Sequence, residues 1–92
     1  MATGQATLDF GAAPGTGAVE VAVTGQAAII AGTSYAEAWM MADSTADHNA
    51  EEHMLVPIRL TVGNVTTGVG FTIYARTEWR LSGTFNVRWV WN

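Results

Sequence analysis

Asp43, Asp47, His48, Glu51, Glu52 and His53 bring six side chains capable of metal binding or proton transfer into eleven residues, DSTADHNAEEH. A zinc hydrolase helix needs H-E-x-x-H, two imidazoles one turn apart with a glutamate base between them. His48 and His53 are instead five apart, about 140° out of phase on a regular helix, and cannot face one ion from it. A calcium loop needs alternating oxygen ligands around a central glycine, and this stretch contains no glycine. A metal-binding or enzymatic reading would have to rest on His48, Glu51, Glu52 and His53 without either spacing.

The same letters spell a capping box: Asn49 stands three residues before Glu52, and Asp47 and Glu51 carry negative charge where a helix amino end attracts it. The spacing therefore predicts one short helical turn in the 43–54 loop, with its charges solvated. His48→Ala and His53→Ala are expected to leave the fold intact. A charged loop in a chain otherwise poor in charge also makes His48 and His53 candidates for subunit contact. Elsewhere the serines and threonines lie in no G-x-S-x-G or S-x-x-K context, and cysteine is absent. The glycines of GTGAVEVAV precede a strand pattern, whereas a dinucleotide fingerprint needs them after one. No catalytic residue, metal site or cofactor is expected.

The elements around this loop read as short strands. Val19, Val21 and Val23 alternate with Glu20 and Ala22, the period-2 mark of a half-buried strand over 18–23. Further strands are predicted over 6–10, 26–31 and 34–42. In the last, Tyr35, Glu37, Trp39 and Met41 alternate with Ala36, Ala38 and Met40. Ile58, Leu60 and Val62 follow Pro57, then Phe71, Ile73 and Ala75, and finally Phe85, Val87, Trp89 and Trp91 on one face of the last strand. Six to seven such strands with turn signals between them predict an all-β fold, a single-domain antiparallel β-sandwich or small barrel over residues 1–92. Val21, Trp39, Leu60, Phe71, Ile73, Phe85, Val87 and Trp89 are the expected core. Trp91, at the end of the strand, is expected at the rim, with Val90 and Trp79 as further interface candidates, so that residues up to Asn92 lie against another subunit.

Composition narrows the function classes. Charged residues make up 13 % of the 92 residues, against roughly 25 % in an ordinary soluble domain. Lysine is absent, and Arg59, Arg76, Arg80 and Arg88 are the only strong cations in a chain of net charge −4. No basic patch for nucleic acid or an anionic membrane is expected. The opening MATGQATLDF lacks a cationic start with an apolar run, so the chain is expected to be made in the cytoplasm.

The stretches TLDFGAAPGTGAVEVAVTGQ, AWMMADSTADHNAEEHM and GFTIYARTEWRLSGTFNVRWVWN give the chain a resemblance to small structural proteins encoded among the virion genes of tailed bacteriophages. That resemblance implies a β-rich head or tail accessory protein, present in many copies, located in the virion and bound to itself and to other virion proteins. The residues taken alone also admit a carbohydrate- or receptor-binding module, with Trp39, Trp79 and Trp91 as a platform for a cell-surface glycan. A low-charge surface favours the first reading, because few charges must be desolvated on association.

Overall fold

Alternation at every second residue builds six strands in the computed structural model, which describes residues 2–92. They are β1 (Ala2–Asp9), β2 (Thr16–Val23), β3 (Ala36–Met40), β4 (Arg59–Thr66), β5 (Gly70–Leu81) and β6 (Thr84–Trp91), with one helix, α1 (Ala50–Leu55), between β3 and β4. Two antiparallel three-stranded sheets form, ordered β1-β6-β3 and β2-β5-β4. They pack face to face around one shared core, with β1 beside β2 and β3 beside β4 at the two margins. The fold is an all-β sandwich.

The inner faces explain which residues go inside. In one sheet Ile73 stands between Val21 and Val62, giving a row of branched side chains across three strands. The facing sheet solves the volume problem differently. Its central strand β6 sends Trp89 and Trp91 inward, and each indole is flanked by small residues on both neighbours. Trp89 lies between Gly4 and Ala38, and Trp91 between Ala2 and Ala36. A Cβ on Gly4 would overlap the Trp89 ring, its Cε2 at 2.7 Å, so the indole takes the space that a β1 side chain would need.

That crowding corrects the reading of β3. Ala36, Ala38 and Met40 pack inward, and Trp39, expected in the core, points outward with 37 % of its surface exposed. Beside two inward tryptophans there is room only for alanine. Phe71, Ile73, Phe85, Val87 and Trp89 are buried as expected, whereas Val21 and Leu60 are only half-buried and pack against the core from its margin.

Trp91 is not at the rim. It is 9 % exposed, and its indole N–H donates to Gln26 Oε1 at 2.8 Å, satisfying the one polar atom the ring carries inside. Gln26 belongs to the segment 26–31, which is not the strand predicted for it. Gln26 N–H donates to Val69 O at 2.9 Å and Gly68 N–H to Ile29 O at 2.9 Å, which ties the segment to the β4–β5 turn. Ile29 is fully buried there and closes that end of the sandwich. A closing plug needs one apolar residue, not an alternating series.

Candidate functional site

At the opposite end, the loop before α1 is fastened to the start of β6. Thr45 Oγ1 donates to Thr84 O at 2.8 Å, and Asp47 Oδ2 accepts both Thr84 N–H and Thr84 Oγ1–H at 2.8 Å. Gly83, at φ 78, turns the chain from β5 in one sheet to β6 in the other. A Cβ there would lie 2.7 Å from Asp47 Cβ, so the carboxylate reaches the backbone only because this residue is glycine. The capping box forms as its spacing predicts: Asn49 Oδ1 accepts from Glu52 N–H at 2.9 Å, and Glu52 Oε1 accepts from Asn49 N–H at 3.0 Å.

The histidines are parts of this fastening, and neither is a solvated loop residue. His53 is 1 % exposed. Its Nδ1 lies 2.9 Å from Asn49 O, and its Nε2 accepts Asn86 N–H at 2.9 Å, so the proton of the ring sits on Nδ1. The contact candidate His53 is therefore inside the molecule, satisfying backbone groups of two elements. His48 reaches Ser82 O from Nε2 at 2.7 Å and Glu52 Oε2 from Nδ1 at 3.1 Å. Its ring stacks on Phe85 at 4.0 Å and 14°, and the same Phe85 ring has His53 at 5.1 Å and Phe10 edge-on at 5.8 Å. All four imidazole nitrogens are thus occupied, and among the described residues no three His, Asp or Glu side chains are grouped to hold a metal ion. A depression of about 500 Å³ lined by Asp9, Asp47, His48 and Ser82 lies beside them, bordered by groups already engaged in the fastening.

Charge follows from this geometry. Ser82 O only accepts, so His48 Nε2 carries a proton, and the Glu52 carboxylate then favours a second proton on Nδ1. Burial by itself would lower the His48 pKa, but Ser82 O, Glu52 and Asp47 together hold it above its ordinary 6.5. Asp47 is held below its ordinary range by the Thr84 hydroxyl and N–H, and Glu52 by the Asn49 N–H and then His48. The raised group stabilises the fold below the unfolded value and loses that contribution as pH rises through the folded one; the lowered carboxylates lose theirs as pH falls through their folded values. Thermal stability should therefore be greatest between the ordinary values of 4.5 for Glu52 and 6.5 for His48, and should fall as pH rises beyond 6.5. In His48→Gln the fall on the alkaline side should be reduced. A variant that loses stability in parallel with the wild type there would assign the effect to another group.

The outer face of the β1-β6-β3 sheet also presents large side chains to its surroundings. Tyr35, just before β3, is 79 % exposed, and it shares the outward positions with Glu37, Trp39 and Met41, so that one carboxylate stands in a row of otherwise large apolar side chains. Trp39 pairs across the strands with Arg88, and Glu37 with Val90. Arg88 lies 3.6 Å from Asp43 Oδ2, a charge contact too long for a hydrogen bond. A groove of about 240 Å³ opens between Thr3, Gly4, Trp39, Met41, Arg88 and Trp89.

The interface candidates thus separate. Val90 lies on the outward face beside this row, and Trp91 is core. Trp79 is 60 % exposed but belongs to β5 in the other sheet, where residues between Arg76 and Leu81 bulge out of register with β2. The platform of Trp39, Trp79 and Trp91 does not exist as one surface. Tyr35 and Met41, absent from the expected interface, share Trp39's parity, which was the available signal. The chain matches no family model, no curated protein and no solved structure.

Proposed function

We propose that this chain is a non-enzymatic structural subunit of a bacteriophage virion, a head or tail accessory protein that self-associates and docks on a larger assembly. The observation that carries the self-association is the outward row Tyr35, Trp39 and Met41 with its groove beside Trp89. Exposed aromatic residues and methionine beside an arginine, Arg88, are the residue types enriched at interfaces, and Glu37 is the carboxylate set among them. The row also sits on β3, an edge strand of its sheet, where a partner has both side chains and unpaired backbone groups to bind. The virion assignment rests on the resemblance to phage structural proteins.

Sedimentation over a range of concentrations tests the interface. The wild type should assemble, Trp39→Glu should weaken assembly by roughly 30-fold or more, as loss of a central aromatic contact does, and Trp79→Glu on the other sheet should leave it unchanged. A wild type that stays monomeric throughout, or a folded Trp39→Glu that assembles like it, would overturn this interface. Mass spectrometry of purified particles tests the virion assignment separately, and absence of the protein from them would end it.

A further inference from the structure

Arg59 on β4 and Arg76 on β5 are direct cross-strand partners on the outer face of the β2-β5-β4 sheet. Like charges placed opposite each other destabilise a sheet, and this chain has only four arginines with which to make such a pair. Among the described residues the ion pairs are His48 with Glu52 and Arg88 with Asp43, so neither Arg59 nor Arg76 is neutralised. Glu20 on β2 lies opposite Tyr74 and Glu78 stands two residues along β5, yet neither forms an ion pair with Arg76. Both arginines line one cleft of about 300 Å³ with Thr61 and Tyr74. The Tyr74 ring lies over Gly63 of β4, close enough that a Cβ there would be in ordinary contact with Cε2 at 3.6 Å.

The geometry points to an oxyanion site in this cleft, for a phosphate, sulfate or carboxylate group. Two guanidinium groups offer planar pairs of N–H donors that match such oxygens, and the Thr61 and Tyr74 hydroxyls supply further donors from the same wall. A bound oxyanion would relieve the repulsion between the paired arginines, so the site gains by filling. The cleft lies on the sheet opposite the Trp39 surface and is independent of it.

The test is an amide-resolved NMR titration of the full chain with sodium phosphate, against sodium chloride at matched ionic strength. Phosphate should move the signals of Thr61, Tyr74 and Arg76 saturably, with a dissociation constant on the order of 1 mM, and Arg59→Gln and Arg76→Gln should each weaken binding roughly tenfold. Arg59→Lys, which keeps the charge and loses the planar fork, should fall between. A parallel titration with acetate separates the sources: saturation by both anions assigns a carboxylate-accepting site, and saturation by phosphate alone assigns a doubly charged tetrahedral group. No saturable change with either anion, or equal binding in folded Arg59→Gln and Arg76→Gln, would overturn the proposal.

Discussion

Phe85→Ala should lower the free energy of unfolding by about 3 to 5 kcal/mol, the range for truncating a buried phenylalanine. Phe85 is fully buried, and its ring is the common partner of Phe10, His48 and His53. Its removal leaves a void between rings held by separate backbone hydrogen bonds, so the site has little freedom to collapse. Phe85→Leu, which refills most of the volume, should cost less than about 1.5 kcal/mol. Urea unfolding of both variants measures the difference. A Phe85→Ala cost near 1 kcal/mol would show that the three rings close over the gap and that the fastening is not centred on Phe85.

The second large effect is expected at His53. In His53→Ala the N–H of Asn86 loses its partner, while the C=O of Asn49 keeps the backbone N–H of residue 53 at 3.1 Å, and a buried backbone group left unpaired costs about 1 to 3 kcal/mol. With the lost packing against Phe85, the total should be about 3 kcal/mol or more. His48→Ala should cost about 1 kcal/mol, because its side chain is 18 % exposed and the groups it leaves lie near water. Paired melts of the two variants distinguish them. Equal, small losses would return both residues to the solvated loop that the sequence alone suggests.

The contrast between these histidines marks what the sequence makes legible. Asn49 and Glu52 are three residues apart, so a local rule finds their capping box without knowledge of the fold. The acceptor role of His53 depends on Asn86, 33 residues away, and no local spacing announces it. The alternation in β2, β4, β5 and β6 was likewise readable, because a period of two is a property of neighbouring residues. Period alone yields two faces without saying which is inside. In β3 hydrophobicity favoured the Trp39 face, and the opposite, alanine-bearing face won because Trp89 and Trp91 of β6 already filled the space. The Arg59–Arg76 pair was hidden for the same reason, since it exists only in the register between β4 and β5.

Strand order along the chain and strand order across the sheet differ in a way that bears on synthesis. β6 is the middle of its sheet, bonded to β1 on one side and β3 on the other, and contacts such as Thr7 with Asn86 join residues 79 positions apart. Neither β1 nor β3 has its hydrogen-bonding partner until β6 has left the ribosome. The β2-β5-β4 sheet has all its strands earlier, so one half of the sandwich is available as a template while the other waits for its centre. Closing so long a loop is slow relative to local contacts, and during that interval both edge strands stay open to other chains. A nascent copy is therefore most open to pairing with other chains in the interval before β6 joins its sheet.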